Sequence, residues 1–158
     1  MKRTTNLVVG TLLVTIAANL PTNAGHLQEG LAAFKRHNYT AAAELLRMLA
    51  YNGDPGAQAI LCFMYTNGRG VPQNYREAAN WCRRAAEQGN SAAQYMLGLM
   101  YNKRQGVPEN FVQAYKWLNL AAAHASGPKM EFSYRIMDSI ATKMSPAQIS
   151  KAQALSIE

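Results

Sequence analysis

The sequence predicts an all-α fold, an α/α solenoid of helical hairpins closed by two C-terminal capping helices, and three observations carry that prediction. Ala57–Gln88 aligns on Ala93–His124 at a constant offset of 36, with 13 identities in 32 positions, where unrelated segments of this composition share about two or three. Self-similarity at such a period is the mark of a repeat architecture. Both copies hold apolar residues at helical spacing on either side of a breaker-rich loop, so each copy reads as two helices and a turn. A single hairpin cannot bury its apolar face, so neighbouring hairpins must stack and share it.

At 158 residues the chain is one domain by length, and 49% hydrophobic with 16% charged residues describes a folded rather than a disordered protein. Residues 1–24 stand apart from that core. Lys2 and Arg3 precede an apolar run from Leu7 to Leu20, followed by Pro21-Thr22-Asn23-Ala24, the layout of a secretory signal peptide. The run is short of the ~20 residues that span a bilayer. Thr22 and Ala24 suit the −3 and −1 positions, so cleavage is expected after Ala24, with an uncleaved anchor as the alternative. No cysteine follows the run, which argues against a lipoprotein. Cleavage removes two of 16 Lys+Arg and leaves 14 against nine Asp+Glu, or +5. That excess fits weak attraction to acidic surfaces or, more plainly, cations scattered over solvated helix faces. The expected location is periplasmic or secreted, with no nucleic-acid partner and no stable membrane insertion after cleavage.

Residues 25–53 form a divergent first repeat. Leu27, Leu31 and Phe34 give a helix over Gly25–His37, Asn38-Tyr39-Thr40 breaks it, and Ala41–Tyr51 resumes with Ala42, Leu45, Leu46, Leu49 and Ala50 on one face. Asn38, Tyr39, Ala42 and Gly53 lie 36 residues before Asn74, Tyr75, Ala78 and Gly89, so the second helix of an earlier repeat is present, with a tighter turn before it. Residues 54–89 are the first full repeat. Asp54-Pro55 supplies an N-cap and a first-turn proline, Thr66–Pro72 is the loop, and Asn74 opens a return helix that ends at Gly89. Residues 90–126 repeat the plan from Asn90 or Ser91, except that Arg104 stands where the earlier loop has Gly68. If Gly68 has positive φ, Arg104 must accept that conformation or alter the turn. Residues 127–158 leave the period. Met130, Tyr134, Met137, Ile140 and Met144 make one apolar stripe, and Ser145-Pro146-Ala147-Gln148 is a capping box opening a last helix to about Leu155.

The strings Ala-Gln-x-x-Leu-Gly-x-Met-Tyr, Gly-Val-Pro-x-Asn-Phe and Ala-x-x-Trp-x-x-x-Ala-Ala within Ala93–Ala122 resemble the Sel-one-like repeat (SLR) family, related to the tetratricopeptide repeats. The resemblance covers Asp54–His124 well and Leu27–Gly53 in reduced form, and the Met-Ser-Pro-Ala-Gln-Ile ending is similar to the tail of small exported bacterial SLR proteins. It implies a short right-handed superhelix that serves as an adaptor or scaffold for another protein or peptide, without cofactor or metal. Carried over from the tetratricopeptide arrangement, a concave face formed by the first helices would hold Phe63, Thr66 and Asn67 in one repeat and Tyr95, Leu99, Asn102 and Lys103 in the next. Phe63, Tyr95 and Leu99 would form an apolar strip with polar flanks, as peptide grooves do; alternatively, Phe63 and Leu99 pack against the neighbouring hairpin. Arg69, Lys103 and Arg104 in the loops could read acidic groups or simply be solvated.

The one clear departure from the pattern is Cys62, where the next copy has Gly98; Cys82 stands where that copy has Leu118. If the hairpin packs as its tetratricopeptide relatives do, the two sulfurs are close, and an oxidising compartment favours a disulfide worth about 3 kcal/mol on the chain-entropy model. Two reduced core thiols are the alternative. For catalysis the inventory is thin. His26, His37 and His124 are far apart in sequence with no metal-ligand spacing, so no catalytic or metal site is expected. Ser126-Gly127-Pro128-Lys129 matches the Ser-x-x-Lys of penicillin-recognising enzymes but lacks its companion motifs. A cell-wall or β-lactam-related hydrolase is therefore one alternative to the adaptor, and a structural, self-associating repeat unit is another.

Overall fold

The computed structural model describes residues 23–157, and eight α-helices make up their regular structure. In chain order these are α1 (Asn23–Lys35), α2 (Tyr39–Tyr51), α3 (Pro55–Asn67), α4 (Tyr75–Glu87), α5 (Ser91–Lys103), α6 (Phe111–Ala123), α7 (Pro128–Ala141) and α8 (Pro146–Ala154). The expected leader lies outside the described residues, apart from Asn23 and Ala24, which begin α1.

Local chemistry fixes the helix starts. Asp54 Oδ1 accepts from Ala57 N at 2.7 Å, Asn74 Oδ1 from both Arg76 N and Glu77 N, Asn90 Oδ1 from Ala93 N, and Asn110 Oδ1 from Gln113 N. Each such cap is worth about 1 kcal/mol. The Ser145–Gln148 capping box forms in full. Three boundaries differ from expectation, one of them at Thr66 and Asn67, which belong to α3 rather than to the loop, and two in the first hairpin. Gly25–His37 becomes Asn23–Lys35, and Tyr39 and Thr40 belong to α2 rather than to the break. His37 stops α1 with φ +60°, and the Asn38 side chain already caps α2 through Ala41 N.

The helices stack as hairpins α1–α2, α3–α4 and α5–α6, joined by packing of α2 on α3 and of α4 on α5, while α7 and α8 both lie against α6. The core runs from Leu46 and Leu49 through Leu61, Met64 and Trp81 to Leu97 and Met100, with a second cluster of Ala114, Leu118, Met137, Ile140 and Ala152 beneath the last helices. Adjacent hairpins are also sewn together by glutamine. Buried Gln58 donates to Ala50 O at 3.0 Å and accepts from Gln88 Nε2 at 2.8 Å, and Gln94 donates to Ala86 O at 3.1 Å. The Ala-Gln of the repeat thus satisfies a carbonyl at the end of the preceding helix pair.

The loops add a second joint. Gly70 packs on the Tyr39–Thr40 backbone, and Gly106 packs on the Tyr75–Arg76 backbone, each at positive φ and each without room for a Cβ. Glycine at this loop position is required twice over, by conformation and by contact. Each long loop therefore seats on the first turn of the second helix in the hairpin before it.

The expected stripe of α7 needs correction. Met130 and Tyr134 are exposed, and the buried residues are Ser133, Met137 and Ile140. Met137, Ile140 and Met144 face inward as expected, and only the first half of the stripe fails: small Ser133, its hydroxyl donating to Lys129 O at 3.1 Å, is buried in place of Met130 and Tyr134.

Candidate functional site

Three equivalent positions at the centres of the hairpins show how the sequence sets interhelix distance. A Cβ on Gly30 would lie 2.8 Å from Leu46, and one on Gly98 would lie 2.8 Å from Leu118, so in the outer hairpins a leucine fills the space a glycine leaves. In the middle hairpin the same two positions are Cys62 and Cys82, and they form a disulfide with Cα atoms 5.2 Å apart. Both cysteines are fully buried. Of the two readings the sequence left open, the disulfide is the one the structure holds. It fixes α3 to α4 and presents no thiol to solvent.

The residues expected on a concave face divide into three groups. Phe63 packs edge-on against Phe34 of the preceding hairpin, with ring centroids 5.8 Å apart, and the Arg69 guanidinium lies 5.1 Å above it. Arg69 also covers the Tyr39 ring and donates to its hydroxyl at 3.1 Å. Phe63 is thus committed to the joint between hairpins, and Arg69 is partnered rather than free. Thr66 Oγ1 donates to Cys62 O and Asn67 Nδ2 to Phe63 O, each at 2.8 Å, so both polar groups are turned back onto their own helix. Tyr95, Leu99 and Asn102 are half-buried along α5, and Lys103 is exposed at its end.

Of these seven, Tyr95 lines a cleft. It opens between the first turns of α5 and α7, with a volume of about 310 Å³, and its walls are Ser91, Ala92, Tyr95 and Met96 on one side and Lys129, Phe132 and Ser133 on the other. Ala121 and Ala125, at the end of α6 and just beyond it, complete the lining. The cleft exists because α7 lies against α6 and hardly meets α5. Its surface is mainly apolar, half-exposed Phe132 forms part of the wall, and Lys129 is the one charged side chain in its lining. Phe132 and Ser133 were missed by sequence reasoning, and Lys129 entered it only through the Ser-x-x-Lys string. The available signal was Phe132 itself, an aromatic outside the expected apolar stripe and therefore facing solvent.

Ser126 and Lys129 flank Gly127-Pro128, and both are exposed. No hydrogen bond joins their side chains among the described residues, and Ser126 does not line the cleft that Lys129 lines. Among the same residues, no group of three His, Cys, Asp or Glu side chains is placed to hold a metal ion. No helix there is long and apolar enough to cross a membrane.

Arg104 resolves the question posed by Gly68. Both are left-handed, at φ +60° and +64°, and both close their helix by donating to a carbonyl four residues back. The turn is preserved and the arginine accepts the less favoured backbone.

The family model for the Sel1 repeat matches residues 23–54, 55–90 and 91–126. The crystal structure of a protective antigen present in uropathogenic Escherichia coli strains, displaying an SLR fold, is 30% identical with a TM-score of 0.77 over 85% of this chain. A Sel1 repeat protein from Oxalobacter formigenes is 31% identical with a TM-score of 0.66 over 74% of it. The chain spans 29% and 46% of the lengths of those two structures. No curated protein matches it in sequence.

Proposed function

The chain belongs to the Sel1 repeat family, and we propose that it is an exported, non-catalytic adaptor that holds a segment of another protein in the α5–α7 cleft. Sel1 repeats commonly mediate protein–protein interaction, and the cleft is the observation that carries the reading for this chain. A concave, mainly apolar site with few polar groups suits a side chain of a bound segment. Lys129 at its wall favours a carboxylate next to that side chain, and the Tyr95 hydroxyl adds a polar group of either hydrogen-bonding sense. Leu99, Asn102 and Lys103 continue along the same helix and extend the surface beyond the cleft.

Export is supported by the Cys62–Cys82 disulfide, since such bonds persist in oxidising compartments. The hydrolase alternative has no support in the placement of Ser126 and Lys129.

A photocrosslinking residue in place of exposed Ala92, in cells making the full chain, tests the adaptor directly. One protein should be captured in quantity, and Tyr95→Ala and Lys129→Ala should each abolish its capture. Undiminished capture in both variants would remove the cleft from the account. Hydrolysis of a labelled β-lactam that is lost in Ser126→Ala would replace the adaptor with an enzyme.

A further inference from the structure

We infer that a second binding site, for an acidic segment of a polypeptide, lies on the loop edge of the solenoid between Arg76 and Arg104. It is separate from the cleft and does not rest on the cleft's occupancy.

The joint at which Gly106 seats on the first turn of α4 copies the one at which Gly70 seats on α2. The frame is the same and the charges differ. Position 76 is arginine where the earlier joint has Thr40, and position 104 is arginine where it has Gly68. In the earlier joint the nearby Arg69 is spent on Tyr39 and Phe63. In the later joint Arg76 and Arg104 line an open depression of about 600 Å³, together with Asn74, Gly106, Val107 and Pro108. Among the described residues neither guanidinium has a hydrogen-bond or ion-pair partner, the neighbouring Glu77 and Glu109 included.

Two unneutralised guanidiniums at one depression recognise oxyanions, and each can grip a carboxylate with two parallel hydrogen bonds. The openness of the site and the state of α4 choose between a free anion and a peptide. Asn74 Oδ1 already takes the Arg76 and Glu77 amides, so the helix start does not offer them to a small anion. What remains is a pair of long side chains over a shallow surface with Val107 and Pro108, suited to successive acidic side chains on an extended segment. Arg104 also holds a backbone conformation that glycine adopts more easily, so the turn itself does not call for an arginine there.

Fluorescence anisotropy with labelled hexaglutamate at low salt tests the site. Arg76→Thr and Arg104→Gly reproduce residues already present at the equivalent joint, so both are expected to fold. Each should weaken binding about tenfold, the loss of one charge-assisted contact, and binding should fall as salt is raised. Exposed Arg47→Gln should change it less than twofold. The proposal is overturned if hexaglutamate does not bind, or if both joint variants bind as the native chain does. It is equally overturned if Arg47→Gln weakens binding as much as they do, which would mean general charge attraction. Displacement by inorganic phosphate as readily as by unlabelled peptide would make this a free-anion site instead.

Discussion

Cys62 and Cys82 occupy a slot that two other hairpins fill with glycine and leucine, so the covalent bond and the apolar contact are alternative solutions to one spacing. Cys62→Gly alone leaves a void against Cys82, and Cys82→Leu alone drives a leucine into the Cys62 side chain. Each single variant should lose about 3 kcal/mol in urea unfolding, the value of the cross-link. The double variant should recover part of that loss, because it rebuilds the Gly98–Leu118 contact; a double variant no more stable than either single variant would refute the equivalence. A second residue-scale flaw sits one repeat on. Buried Gln94 Oε1 has no hydrogen-bond partner, whereas Gln58 Oε1 accepts from Gln88. His124 stands at the position equivalent to Gln88 and donates from Nδ1 to Leu120 O at 3.0 Å instead. His124→Gln should therefore raise stability by about 1 kcal/mol, read as a higher urea midpoint with unchanged slope.

The elements themselves were legible because their signals are local. Caps at Asp54, Asn74 and Ser145 act within three residues, and the 36-residue period marks each helix pair without any knowledge of the partner. The inward face at the start of α7 was not legible in the same way. Nothing in its spacing says that Ser133 is buried while Met130 and Tyr134 are not, since the inward face is chosen by the close approach to α6. Stability should report that departure: Ile140→Ala should cost about 2–5 kcal/mol, while Met130→Ala, at a position of the same expected stripe, should change stability by less than about 0.5 kcal/mol. The loop joints give a parallel contrast. Gly89 and Gly106 both have positive φ, yet only Gly106 abuts another backbone. Gly89→Ala should cost about 1 kcal/mol in thermal unfolding and Gly106→Ala clearly more, because the latter must also push the loop off α4.

At the scale of the molecule, repetition makes the fold easy to read and the site hard to find. Matches between repeats describe what every hairpin must do. The tetratricopeptide arrangement implies an open face for Phe63, Thr66 and Asn67; in the structure Phe63 meets Phe34 and Arg69, and the side chains of Thr66 and Asn67 donate to carbonyls of their own helix. Tyr95 joins a cleft because the repeat ends there: the next helix, α7, follows α6 without completing a further hairpin against α5. Function is thus expected where periodicity stops, at α7, and where the copies differ, at Arg76 and Arg104.

The cleft can be examined through its own methionine. Methyl NMR of selectively labelled protein, titrated with peptides selected for binding from a random displayed library, distinguishes Met96 in the cleft wall from Met64 in the core and from exposed Met48 on α2. A bound peptide should shift the Met96 methyl resonance and leave Met48 and Met64 in place, with the Met96 shift lost in Tyr95→Ala. Saturable binding that moves Met48 while Met96 stays fixed would contradict the assignment of the α5–α7 cleft as the protein-binding site.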